Sequence, residues 1–125
     1  RSCYAAMVKT VVLVSCETES TAKIIANQLI SNDMAVSVSI INEVKSITRG
    51  EKGELVESNQ NLLLAETDET LLPKLVDFIT SISNYKPKKI IALPISGGSW
   101  DYLDWISRVT SKKNNDSTKT KQRQN

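Results

Sequence analysis

Residues 90–105 read IIALPISGGSWDYLDW, and this stretch is the most informative part of the chain. A short apolar strand ends at Pro94, a turn follows at Gly97 and Gly98, and a helix rich in aromatic side chains begins. The two glycines lack the spacing of a phosphate-binding loop, so they are interpreted as a turn that lets the last helix fold back. The stretch therefore predicts architecture and names no reaction.

Three further strands are predicted upstream of this stretch. Residues 8–16 are apolar and β-branched, which favours a buried strand. Residues 35–49 alternate, with Val38 and Ile40 on one face and Ser37 and Ser39 on the other. Residues 50–53 form a turn with two glycines, and residues 55–67 complete a long hairpin.

Two helices are predicted between the strands, and a short one follows the last strand. The first has its apolar residues at helical spacing and begins at Thr18 or Ser20. The second covers residues 72–82, with Thr70 as its expected cap and Pro73 in its first turn. The third covers residues 102–109 and begins at Ser99 or Asp101.

The order β-α-β-β-α-β with a short C-terminal helix predicts an α+β, ferredoxin-like sandwich. Two helices should cover one face of the sheet. The other face carries apolar positions interspersed with serines, and a chain of 125 residues has only the short last helix left to cover it. Partner subunits are therefore expected there.

Composition and charge predict three parts: a start over residues 1–6, a domain over 7–111 and a tail over 112–125. The start is interpreted as a flexible N-terminus or as the remnant of a processed leader or of a tag. Residues 111–125 have a net charge of +4 within a total of +2, so the rest is mildly acidic. The tail has no apolar side chain and is expected to be disordered. Its charge admits an arm for nucleic acid or membrane, but a solvated tail is the expectation. No apolar run reaches the ~20 residues of a membrane span.

The chain resembles the CutA family, named for divalent-cation tolerance. The matching segments are VVLVSC at 11–16, ESTAKIIA at 19–26, LLPKLVDFI at 71–79 and IIALPI at 90–95 with YLDW at 102–105. The resemblance covers residues 8–110, apart from one apparent insertion near Gly50. It implies a homotrimer whose sheets pack edge to edge, as in PII signalling proteins, and a link to copper or other divalent cations, with no cofactor required.

The chain also departs from the family pattern. The family usually has Cys at Ser37, Asn at Ser39, His-Pro-Tyr-Glu at 83–86, and often Lys at Glu66. Aromatic residues that the family has at the hairpin tip are missing at 48–50. The chain contains no histidine, so two of the metal ligands proposed for the family are absent.

Two candidate sites follow. Cys16 is a weak metal candidate, because a thiolate binds copper or another thiophilic ion; the alternative is a small buried core residue. A second candidate is a subunit cleft, expected to be lined by Ser39, Glu66, Tyr85, Tyr102, Asp104 and Trp105. Trimer packing alone explains the same residues.

Two functions are carried forward, neither of them enzymatic, since no nucleophile is paired with a base. The first is a homotrimer associated with divalent metal, copper above all, that binds metal weakly or not at all. The second is a PII-like sensor of a small anionic metabolite or nucleotide, suggested by Lys86, Lys88 and Lys89. A partner-docking scaffold is a minor third option.

Acylphosphatase and RNA-recognition modules share the predicted topology, but topology alone does not give function. The strands at 11–16 and 59–65 lack the stacking aromatics of RNA binders, so no nucleic acid is expected. Two cysteines make no disulfide framework, which fits a reducing compartment, and a cytoplasmic protein is expected.

Overall fold

The computed structural model describes residues 8–82 and 89–111. The strands are β1 (Lys9–Cys16), β2 (Ser37–Arg49), β3 (Leu55–Asp68) and β4 (Ile90–Pro94). The helices are α1 (Glu19–Ser31), α2 (Leu72–Ile82), which follows a 3-10 turn (Glu69–Leu71), and α3, residues 100–111. The predicted α+β order is confirmed, whereas the predictions for residues 1–6 and 112–125 lie outside the described residues.

The four strands form one antiparallel sheet in the order β2-β3-β1-β4. The two central strands, β1 and β3, pair from Lys9 opposite Asp68 to Cys16 opposite Asn61. Because β1 and β3 are not consecutive, the chain crosses over through α1, as the split βαβ pattern requires. The edges of the sheet are β2 and β4.

One face of the sheet, the inner face, carries the hydrophobic core beneath α1 and α2. Alternate residues of β1 and β3 point into it, because side chains in a strand alternate between faces. Each helix contributes residues three or four positions apart, as a helix with one apolar face does. The buried members are Val12, Val14, Cys16, Ala22, Ile25, Leu29, Ala35, Leu63, Ala65, Leu75 and Ile79.

The opposite face, called the outer face here, is only partly covered. The same alternation places on it the residues between the core positions: Val11, Leu13, Ser37, Ser39, Ile41, Leu62, Leu64, Glu66, Ile91 and Leu93. The helix α3 reaches it through a contact between Tyr102 and Glu66. Ile91 and Leu93 remain exposed.

The hairpin of β2 and β3 extends beyond the sheet as a two-stranded arm, residues 42–60. A register shift between Ile41 and Val44 separates the arm from the rest of the sheet, and Glu43 adopts a positive φ of 58° there. A β-bulge of this kind bends and twists the strand. The sequence predicted continuous alternation along β2, and the structure corrects it: beyond the bulge the alternation restarts in a new register.

The observed N-cap agrees with the sequence-based prediction for α1 and differs from it for α2. Thr18 is the N-cap of α1, and its hydroxyl accepts a hydrogen bond from Thr21 N at 3.2 Å. The prediction of Thr70 as the cap of α2 is wrong. The chain enters α2 through the 3-10 turn, and Asp68 caps that turn by accepting from Thr70 N at 3.0 Å.

The last helix is longer than the predicted residues 102–109, because it begins at residue 100 and extends to residue 111. Ser99, one of the two expected starts, precedes it, and the Ser99 carbonyl accepts from Leu103 N at 3.0 Å. Ile106, Ser107 and Thr110 are buried. Their spacing gives α3 one buried face and one exposed face.

Candidate functional site

The outer face carries a hydrogen-bonded cluster where α3 meets β2 and β3. Ser37 and Glu66 are direct cross-strand partners, so their side chains lie side by side. Tyr102 on α3 donates its phenolic hydrogen to Glu66 Oε1 and also shares a hydrogen bond with Ser37. One helix side chain thus joins two strands.

The environment of Tyr102 disfavours its ionised form. The hydrogen bond to Glu66 is the largest cause of a raised pKa, followed by burial and by the charge of the Glu66 carboxylate. The hydrogen bond with Ser37 acts in the opposite direction and lowers the pKa. The neutral phenol is the better donor to a carboxylate, and the net effect is a Tyr102 pKa above its ordinary value of 10.0.

Two further predicted residues lie on α3, and one of them, Trp105, contacts the cluster. The ring of Trp105 is 5.6 Å from that of Tyr102, tilted by 56°, which is a favourable aromatic pair. Asp104 accepts from Arg108 Nε at 3.0 Å, one helical turn away. Asp104 is thus an ion-pair partner within the helix.

The other two predicted cleft residues are not part of the cluster. Ser39 lies on the same face, but it pairs with Leu64 one step along the sheet, and it is exposed. Tyr85 falls outside the described residues, as do Lys86 and Lys88 of the basic cluster. Lys89 is described and exposed, and its carbonyl accepts from Ser15 N.

Cys16 is separate from the cluster in both face and position. It belongs to the inner core, opposite Asn61, whereas Glu66 pairs with Val11 five residues back along β1. Burial raises the pKa of the Cys16 thiol above its ordinary 9.0. A metal ligand must be a thiolate, so this environment works against metal binding.

The described residues offer no assembled metal centre. No group of three or more Cys, Asp or Glu side chains in the described ranges is placed to hold an ion. The Tyr102 cluster contains one carboxylate, that of Glu66, whereas Asp104 pairs with Arg108 along α3. An anionic ligand would meet like charge at this cluster.

Two residues that the sequence did not single out matter to this region. Ser37 was placed by alternation on the face opposite Val38, but only the pairing register brings it beside Glu66. Asp68 is fully buried, and its Oδ2 atom has no hydrogen-bond partner among the described residues. No sequence pattern distinguishes such a buried carboxylate from an exposed one.

The family of the chain is settled by comparison with known proteins. The family model described as "CutA1 divalent ion tolerance protein" matches residues 10–109, which includes every described strand but the first residue of β1. The chain belongs to the CutA1 divalent ion tolerance protein family. The resemblance to this family over residues 8–110 is thereby confirmed.

Individual members of the family agree with this assignment. The "Divalent-cation tolerance protein CutA" of Thermus thermophilus is 37% identical over 100 residues, covering 80% of this chain and 96% of that protein. The human "Protein CutA" is 35% identical over 97 residues, covering 78% of this chain. The chain spans about half, 54%, of the length of that human relative.

A solved member of the family has the same fold. The crystal structure of CutA1 from Oryza sativa superimposes with a TM-score of 0.77 at 30% identity, covering 82% of this chain and 94% of that one. The ferredoxin-like arrangement of this CutA1 chain is thus shared with a solved relative. None of the helices in residues 8–82 and 89–111 is long and apolar enough to span a membrane.

Proposed function

We propose that this CutA1 chain is a non-enzymatic homotrimer that serves tolerance of divalent cations, copper above all. The family match over residues 10–109 carries the proposal, because relatives that match most of the chain are named for this tolerance. The assembly is proposed from two features of the protomer, the arm and the outer face.

The arm supports self-association because it has little to pack against within its own protomer. Six residue pairs, from Val44 with Gln60 to Arg49 with Leu55, extend it by roughly 20 Å. Leu55 is 76% exposed and Ile47 63%. An isolated two-stranded hairpin is marginally stable in water, so contacts with neighbouring copies are the simplest source of its order.

The outer face supports the same conclusion. Its central positions Leu13 and Leu64 are half-buried, and Ile91 and Leu93 at the β4 edge are exposed. Contiguous apolar surface on a folded domain marks an interaction site. We propose that two further copies of the chain cover the outer face, since the family resemblance implies a trimer whose sheets pack edge to edge.

Metal contact is proposed to be weak and to involve Cys16. The thiol is buried in the core and its pKa is raised, so binding requires local opening and loss of a proton. Copper(I) is the ion most suited to a lone sulfur ligand. The role in tolerance is therefore proposed to depend on the assembly more than on a tight metal site.

Titration with Cu(I) under anaerobic conditions, against a competing chelator, tests the metal step. The Cys16→Ser variant removes the proposed ligand, and Cys3→Ser is the matched control because it removes the other thiol. Weak binding that survives Cys3→Ser and is lost in Cys16→Ser is expected. Tight binding that persists in Cys16→Ser would refute the assignment of the ligand.

The cytoplasm is retained as the proposed compartment, supported by the buried free thiol of Cys16. Some relatives are named for other compartments, such as "Protein CutA, chloroplastic" of Arabidopsis thaliana. Localisation of a tagged full-length protein would test this directly.

Sensing of a small anionic metabolite is less well supported by the cluster. Glu66 has the wrong charge for an anion, and Lys89 is the described part of the basic segment that motivated the idea. A nucleotide at ~100 times its Kd should add about 2.7 kcal/mol of stability. A thermal shift of that size with nucleotides would restore this alternative.

A further inference from the structure

The exposed side of α3 combines two tryptophans with acidic residues. Positions 100, 104 and 108 lie one above another, and positions 101 and 105 form the adjacent row, because residues four apart share a helix face. These residues, Trp100, Asp101, Asp104, Trp105 and Arg108, are called the α3 stripe. They lie opposite the buried side formed by Ile106, Ser107 and Thr110.

The α3 stripe exposes two large aromatic side chains to solvent. Trp100 is 72% exposed and Trp105 39%, and they are the two tryptophans of the chain. Asp101 is exposed beside them, and the ion pairs found in the described ranges do not include it. Tryptophan faces next to carboxylates attract lysine and arginine through cation–π and charge interactions.

The chain carries a segment of matching chemistry directly after α3. Residues 112–125 contain Lys112, Lys113, Lys119, Lys121 and Arg123 against Asp116, a net charge of +4. The described residues contain thirteen acidic and eight basic side chains, a net charge of −5. The two parts of the chain are therefore oppositely charged.

We propose that the basic C-terminal segment, residues 112–125, folds back onto the α3 stripe of its own chain. Its fourteen residues reach about 46 Å when extended, whereas α3 is about 18 Å long, so the segment can double back along the helix to Trp100. Attachment to the end of the same helix gives it a high effective concentration at the stripe. The inference does not depend on the trimer or on metal binding.

Tryptophan fluorescence tests the proposal, because both tryptophans of the chain lie in the stripe. The tail-neutral variant replaces Lys112, Lys113, Lys119, Lys121 and Arg123 by Gln. The matched control replaces five exposed cations of the domain, Lys23, Lys45, Lys52, Lys74 and Lys89, by Gln. Both variants remove the same charge, and circular dichroism checks that both remain folded.

Quenching by acrylamide is measured at low and high salt. At ~10 mM salt the unaltered chain is expected to show less quenching than the tail-neutral variant, while the domain control behaves like the unaltered chain. At ~1 M salt the difference should be lost, because the Debye length falls from about 30 Å to about 3 Å.

Equal quenching of the unaltered and tail-neutral chains at low salt would overturn the proposal. Dilution distinguishes binding of the stripe by the tail of the same chain from binding by the tail of a neighbouring chain, because only the second depends on protein concentration. A low-salt difference that persists at the lowest measurable protein concentration is the expected result. A difference that disappears on dilution would assign the stripe to the tail of a second copy and contradict the proposal.

Discussion

At the scale of single residues, the contact between Tyr102 and Glu66 joins α3 to the outer face. The Tyr102 phenol donates to the Glu66 carboxylate on the central strand β3 and shares a hydrogen bond with Ser37 on the edge strand β2. This side chain therefore couples α3 to both strands. The family pattern often has Lys at the position of Glu66, and a lysine could not accept this hydrogen bond.

Alkaline titration is expected to show Tyr102 ionising above its ordinary pKa of 10.0. Folding raises this pKa, so folding favours the neutral phenol. The contribution to stability is fully present below the ordinary value and is lost as the pH rises through the raised folded value. The near-ultraviolet absorbance of tyrosinate measures this, and its difference from Tyr102→Phe isolates Tyr102 from Tyr4 and Tyr85.

The Glu66→Gln variant is the control for that titration. It keeps the side-chain shape and removes the charge and much of the acceptor strength, so the Tyr102 pKa should move back toward 10.0. An unchanged Tyr102 titration in Glu66→Gln would mean that Glu66 is not the cause of the raised pKa.

At the scale of elements, the arm is defined by its bulge and its turn. The turn closes with Gly53 N donating to the Gly50 carbonyl at 3.0 Å, and Gly53 has a φ of +86°. Only glycine adopts this backbone conformation without a penalty from its Cβ. The turn residues thus set the register of the arm that is proposed to contact neighbouring copies.

Gly53→Ala is expected to destabilise the protein by about 1 kcal/mol. A Cβ at Gly53 would meet nothing within 4 Å, so the loss reflects backbone conformation alone. Gly97→Ala is the matched control, because its Cβ also meets nothing and its φ is not in that region. Urea unfolding compares the two, and equal stability of both variants would contradict the role given to Gly53.

Much of this element pattern was predictable from the sequence. The alternation of β2 and the 3.6-residue spacing of α1 and α2 fixed strands, helices and the inner core, because burial imposes those periods. The bulge after Ile41 and the 3-10 entry to α2 were not predictable. The bulge depends on a positive φ at Glu43, which has no distinctive sequence signal. The 3-10 entry depends on a cap from Asp68, which residue type alone does not distinguish from a cap by Thr70.

The candidate site was predictable only in part. Glu66, Tyr102 and Trp105 lie together within one protomer, because strand alternation and helix spacing determine their faces, whereas the subunit cleft stays a prediction. Ser39 shares their face but does not join them, because the pairing register places it opposite Leu64. Cys16, the separate metal candidate, lies on the other face, as strand alternation requires.

At the scale of the whole molecule, the uneven cover of the sheet is the main feature. The inner face is closed by α1 and α2, whereas the outer face and the arm expose apolar side chains. Burying them between copies would stabilise the assembly by about 25 cal/mol for each Å² of apolar surface. The proposed assembly is thus expected to draw its stability from apolar surface that the protomer leaves exposed.

Two substitutions of residues with similar exposure test whether the outer face, and not the helical face, forms the interface between copies. Leu93 on the outer face is 51% exposed and Ile24 on α1 is 53% exposed. Leu93→Glu is expected to weaken assembly, because a charge would be buried between copies. Ile24→Glu should leave it unchanged, and light scattering reads the mass of both. If both variants assemble alike, Leu93 is not in the interface.

The most direct measurement is the mass of the unaltered chain in solution, by sedimentation equilibrium at micromolar concentration. A homotrimer of this 13.8 kDa chain has a mass of about 41 kDa. A single species of that mass, stable on dilution, is the predicted result. A species of 13.8 kDa that stays folded would contradict the account, because the outer face and the arm would then be stable without any cover.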